Sequence, residues 1–93
     1  MALDSSHIFP VTVALGASPK GFIGQVQAIE VTDHRSSLST AEMERRLIEL
    51  GFIEGARVQI LHEGLICRDP IAVRVNGATV ALRRREAMAI KVV

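Results

Sequence analysis

Apolar residues recur along this chain with two different periods, and the switches between them mark out its elements. Ser39-Thr40-Ala41-Glu42 has the form of a capping box, and Met43, Leu47 and Leu50 follow at i, i+4 and i+7. Glu42, Glu44, Arg45, Arg46 and Glu49 fall largely elsewhere on the wheel. The spacing predicts one amphipathic helix over about residues 39–50, stopped by Gly51, where a left-handed residue commonly closes a helix. Core packing is the ordinary reading of Met43 and Leu47; Ile48 lies off their stripe and is the residue to watch for a docking role.

Beyond Gly55 the period changes to two. Val58, Ile60 and His62 alternate with Arg57, Gln59 and Glu63, Leu61 being the exception, which predicts a strand with His62 on the Val58 face. Residues 71–75 and 79–82 are two further strands. They are joined through Asn76-Gly77, the strongest short hairpin signal because both residues tolerate positive φ. Residues 83–88 predict a short helical turn and residues 89–93 a last strand.

The first third of the chain is less regular. Residues 1–7 are polar and lack periodicity, which predicts a flexible terminus before a single domain over 8–93. Residues 8–15 are rich in β-branched side chains, but Pro10 confines them to an edge strand or an irregular extended lead. Gly16-Ala17-Ser18-Pro19-Lys20-Gly21 predicts a turn. Residues 24–31 follow as a strand whose alternation is mixed: Val26 and Ala28 face one way, Gln25, Gln27, Ile29 and Val31 the other, and the buried face is left open. Five or so short strands with one inserted helix predict a mainly β fold, a small curled antiparallel barrel.

Composition narrows what such a barrel can do. Ninety-three residues suffice for one core, and with three Phe and no Trp or Tyr that core is aliphatic. A formal net charge of +1 supplies little attraction to phosphate backbones, and no aromatic lies near the Arg83-Arg84-Arg85 run for base stacking, so no nucleic-acid partner is expected. Consecutive arginines diverge in a turn, which favours solvated or paired roles, for instance with Glu86. The apolar stretch Val11 to Leu15 is too short to span a bilayer. A lone Cys67 fits a reducing compartment, and the expected location is the cytoplasm.

Few residues suggest chemistry. His62 and Cys67 could form a metal pair or a nucleophile and base, with Asp69 the one nearby orienting group. His7, His34, Glu63 and Asp69 widen the list of metal donors, but their spacing is that of scattered residues. No cofactor is expected to be required, and binding of a divalent transition metal is expected to be weak or adventitious. No catalytic constellation assembles, so the chain reads as a binding protein and not an enzyme. Leu65 and Ile66 are adjacent apolar residues in a predicted loop from Gly64 to Pro70; they read equally as a lid folded back on the barrel end or as a contact surface, and are the first candidates for a partner interface.

Arg45-Arg46-Leu47-Ile48-Glu49-Leu50-Gly51-Phe52-Ile53-Glu54-Gly55 resembles the helix-to-strand signature of the FeoA family, R-R-L-x-x-L-G-hydrophobic-x-x-G. Asp69-Pro70-Ile71 through Asn76-Gly77, then Ala81-Leu82-Arg83-Arg84 with Glu86-Ala87, is similar to that family's hairpin and closing turn. Pro19-Lys20-Gly21 with Gly24 and Val26 resembles its opening turn and strand. Three departures stand out: Arg68 where the family commonly has Gly, Ala78 where a larger side chain is frequent, and residues 1–8, which have no counterpart. The resemblance implies an SH3-like barrel in which Leu47, Leu50, Gly51, Phe52, Gly55, Asn76 and Gly77 are structural. It also implies a cytoplasmic accessory protein of ferrous-iron uptake, recruited to the membrane by the transporter FeoB without inserting itself. Leu65, Ile66, Arg68 and Asp69 are the expected contacts. The alternative is a stand-alone regulatory or nucleic-acid-binding SH3-like module, and edge strands leave a homodimer open.

Overall fold

The computed structural model describes residues 11–31 and 39–93. Strand β1 (Val13–Ala14) leads into a 3-10 turn (Leu15–Ala17) and β2 (Ile23–Ile29). Helix α1 (Thr40–Glu49) precedes β3 (Arg57–Ile66), β4 (Asp69–Val75) and β5 (Ala78–Leu82), and the short α2 (Arg84–Ala87) leads to β6 (Ile90–Val92). All pairings are antiparallel, in the order β1-β6-β2-β3-β4-β5, a curled sheet of six strands. The expected lead strand over 8–15 shrinks to two residues, because Leu15 turns into the core at the 3-10 turn; its residues 8–10 lie outside the described residues, as do residues 1–7 and His34.

β2 turns the corner of the barrel. Its first half, Ile23 to Gln25, pairs with β3, and its second, Val26 to Ile29, pairs with β6. The register with β6 slips by one between Val26 and Ala28, so Gln27 is an extra, bulged residue. That slip explains the mixed alternation: Val26 is buried before the bulge, and Ile29 and Val31 pack on the core after it.

The helix obeys its sequence signals. Ser39 Oγ accepts the Glu42 amide at 3.1 Å, and Met43 and Leu47 are buried. At the other end Gly51 takes φ 109°, its amide donates to Ile48 O and the Phe52 amide to Leu47 O. These are the two bonds of a Schellman closure, and Leu47 and Phe52, which it brings together, are both fully buried. The helix therefore hands the chain to the barrel through Phe52, and Gly55 (φ 86°) turns it into β3. Val58, Ile60, Ile71, Val73, Val75, Leu82, Ile90 and Val92 fill the interior. Asn76 (φ 49°) and Gly77 (φ 84°) make the expected tight turn between β4 and β5.

Candidate functional site

Two adjacent, highly exposed apolar side chains, Leu65 and Ile66, stand at the far end of the β3–β4 hairpin, and two features of β3 put them there. Its register with β4 shifts between Ile60 and His62, which leaves Leu61 as an extra residue, and shifts again between Glu63 and Ile66. The first bulge inverts the faces. Glu63 now pairs with Ile71, a buried residue, and turns inward, whereas His62 is exposed. Uniform alternation from Val58 had predicted the reverse, and one inserted residue corrects it.

The expected loop from Gly64 to Pro70 is instead a continuation of the hairpin. Leu65 and Ile66 belong to β3, Asp69 and Pro70 to β4, and Ile66 pairs with Asp69 across a two-residue turn. Both turn residues, Cys67 and Arg68, have φ 56°, the signature of a type I′ turn made here without glycine. The turn matches the right-handed twist of its strands, so the hairpin stays regular to its end. Leu65 is fully exposed and Ile66 is 80% exposed there, with Arg68 and Cys67 beside them.

Arg84 fixes the turn end of this hairpin to the body of the domain. The sequence allows it a solvated or intramolecularly paired role, with Glu86 as one example; it is paired, but with Glu63, because helix α2 aims it inward. Its side chain is only 18% exposed. The guanidinium donates to Arg68 O (2.7 Å), Ser18 O (2.7 Å), Gly16 O (3.2 Å) and Glu63 Oε1 (3.1 Å). Its backbone amide donates to Asp69 Oδ1 at 2.8 Å. One residue thus ties the N-terminal 3-10 turn, the inward-facing carboxylate of β3 and both sides of the hairpin turn. Gly16 is essential to the arrangement, since a Cβ there would fall on the Arg84 carbonyl oxygen and lie 2.7 Å from the Met88 amide nitrogen. Glu86 is occupied elsewhere: it accepts the Arg83 amide at 3.0 Å and pairs with Arg46 at 3.1 Å, which links α2 to α1.

The structure therefore divides the four expected contact residues. Leu65 and Ile66 are displayed, and so is Arg68, which is loosely paired with Glu63 at 3.9 Å. Asp69 is part-buried and held by the Arg84 amide, a bracing role within the hairpin. Arg84 and Glu63 were missed as a pair because their meeting depends on the Leu61 bulge, and the one sequence hint was Leu61 itself breaking the alternation.

The metal candidates among the described residues do not converge. His62 and Cys67 are both exposed, and five residues of strand separate them, on the order of 15 Å. Among the described residues no three His, Cys, Asp or Glu side chains are grouped to hold a metal. Among those residues, too, no helix is long and apolar enough to cross a membrane.

Among curated proteins no sequence matches the chain. The structure of FeoA from Stenotrophomonas maltophilia in complex with zinc, a prokaryotic SH3-domain protein, aligns with a TM-score of 0.68 at 28% identity over 89% of each chain. FeoA from Chlorobium tepidum aligns with a TM-score of 0.66 at 30% identity, over 86% of this chain and 68% of that one. A manganese-dependent transcriptional repressor aligns with a TM-score of 0.74 at 28% identity; 92% of this chain is covered but only 43% of the repressor, so the likeness is to one part of that longer protein. The fold is accordingly SH3-like. The FeoA domain family matches residues 13–93, from the first strand to the last residue and across the helix, the Arg84 tie and both hairpins, and the chain belongs to the FeoA family.

Proposed function

We propose that this chain is a non-catalytic accessory module of ferrous-iron uptake that docks on the cytosolic side of a FeoB-type transporter through the tip of its β3–β4 hairpin. Membership of the FeoA family supports the role in iron uptake. The observation that carries the docking surface is the display of Leu65 and Ile66 in water on a hairpin whose turn end is held by Arg84. Exposed aliphatic side chains on a braced backbone lose little conformational freedom on binding, which is the economy a small interface needs. The reading requires no cofactor, and places the chain at the inner face of the membrane by recruitment alone.

The test is a pull-down with the intact transporter and with its cytosolic part. Wild type is expected to bind and Leu65→Ala/Ile66→Ala to fail while keeping its circular dichroism and melting temperature. Binding unchanged by the double substitution refutes the hairpin as the interface.

A second reading, a regulatory module, is favoured by the likeness to part of the manganese-dependent repressor. Salt separates the two. Nucleic-acid binding falls steeply with salt through counterion release, whereas docking through Leu65 and Ile66 changes little.

A further inference from the structure

A groove lies at the other end of β3 from the hairpin tip. It runs between α1 and β2, has a volume of about 190 Å³, and is floored by Val26, Ile29 and Phe52. Ile48 and Ile53, 43% and 51% exposed, form its walls, and Glu44 and Glu54 stand at its rim. Neither carboxylate has an ion-pair partner among the described residues.

Groove and tip are complementary in polarity and charge. The tip offers two aliphatic side chains and the Arg68 cation; the groove offers aliphatic walls and two carboxylates. An apolar cavity of about 150 Å³ holds a benzene-sized molecule, so this groove has room for one branched aliphatic side chain and part of a second. The two cannot meet within one molecule. Glu54 immediately precedes the turn into β3, the tip lies at that strand's far end, and ten strand residues extend about 30 Å.

We propose that the hairpin tip of one copy seats in the α1–β2 groove of a second copy, with Leu65 and Ile66 against Ile48 and Ile53 and Arg68 facing Glu44 and Glu54. Unlike a two-fold dimer, this contact is heterologous: each copy keeps a free groove at one end and a free tip at the other, so chains or rings grow with concentration. A single inserted tip buries far less than the ~1,200 Å² of a stable complex, which places the association constant in the weak range, with Kd on the order of 0.1–1 mM. Because the tip is shared, a copy seated in its neighbour has no tip left for the transporter. The proposal does not rest on the docking reading given above.

The experiment is sedimentation velocity with amide-shift mapping of the full chain, from about 0.05 to about 2 mM so that the expected Kd is bracketed. Wild type is expected to grow in mass with concentration and to shift amides at both Leu65–Arg68 and Ile48–Glu54. Leu65→Asp, which spoils the tip, and Ile48→Asp, which spoils the groove, should each stay monomeric, because each loses about tenfold or more in affinity. Mixed, they should form a one-to-one pair, since the first keeps an intact groove and the second an intact tip. Arg68→Glu should weaken self-association and Arg68→Glu with Glu54→Arg should restore it. A wild type that stays monomeric throughout, or a mixture that fails to pair, overturns the proposal. Ile48→Asp should still bind the transporter through its tip, so failure of the docking reading shows in the pull-down and failure of this one in sedimentation.

Discussion

Replacing Arg84 by Met keeps the length and the apolar stem of the side chain and removes the charge that three segments share. Four guanidinium bonds are lost, to Gly16 O, Ser18 O, Arg68 O and Glu63 Oε1. A bond to a charged group contributes about 1.5–3 kcal/mol, but these four share one donor group and are not additive. Glu63 keeps about a quarter of its side-chain surface in water and regains some solvation, which lowers the cost further. The expected net loss is about 3 kcal/mol, a large fraction of the ~5–15 kcal/mol that holds a domain folded. In a chain of this length that is a fall in melting temperature of about 12–20 °C, and in urea, with a slope near 1–1.5 kcal/mol/M, a midpoint lower by about 2–3 M. Arg84→Lys keeps the charge but cannot reach acceptors on three segments at once, so it should recover less than half. The assay is a double-mutant cycle by urea denaturation with Arg84→Met, Glu63→Gln and the pair together. A coupling of about 1–2 kcal/mol is expected between them. A loss below about 1 kcal/mol for Arg84→Met, or a coupling within about 0.5 kcal/mol of zero, refutes the view that this residue braces the hairpin.

Three smaller changes probe the same frame. Gly16→Ala places a methyl group on the Arg84 carbonyl and should cost more than about 3 kcal/mol or prevent folding, read by thermal denaturation monitored by circular dichroism. Cys67→Asn with Arg68→Gly gives the two left-handed turn positions the residues they favour, and should raise stability by about 0.5–1.5 kcal/mol in urea. Ser39→Ala removes the hydroxyl that accepts the Glu42 amide and should cost about 1 kcal/mol, with loss of amide-exchange protection confined to the first turn of α1.

Where local chemistry decides the structure, the sequence was sufficient. The helix needed only its cap, its stripe and Gly51, and the β4–β5 turn needed only Asn76-Gly77; each signal acts over four residues or fewer. The Schellman closure even explains why Leu47, Gly51 and Phe52 belong together in the family signature, since the two carbonyls it satisfies set the spacing. The β3–β4 turn carried no such signal. Cys67 and Arg68 are poor choices for positive φ, so their conformation is imposed by the strands on either side and by Arg84 holding the Arg68 carbonyl. A reading from residue type alone sees a loop there.

The candidate site was legible in composition and hidden in register. Leu65 and Ile66 announced themselves as apolar residues without a core to join, but which of their neighbours would be displayed with them turned on the bulge at Leu61. Without it, His62 would face the interior and Glu63 the solvent, and the Arg84 guanidinium would lose its carboxylate. With it, an acidic side chain enters the barrel end, an arginine follows to neutralise it, and the tie that results braces the hairpin near its turn. Glu63 and Arg84 are each costly to bury alone, so neither would be retained there without the other. The bulge is therefore the feature from which the site follows. A deletion of Leu61 should restore regular alternation, expel Glu63, and release the tip: amide exchange at Ile66 and Asp69 should speed up while α1 and the β4–β5 hairpin keep their protection. Protection unchanged at the tip would mean that the hairpin is held by its own pairing and that Arg84 is incidental to it.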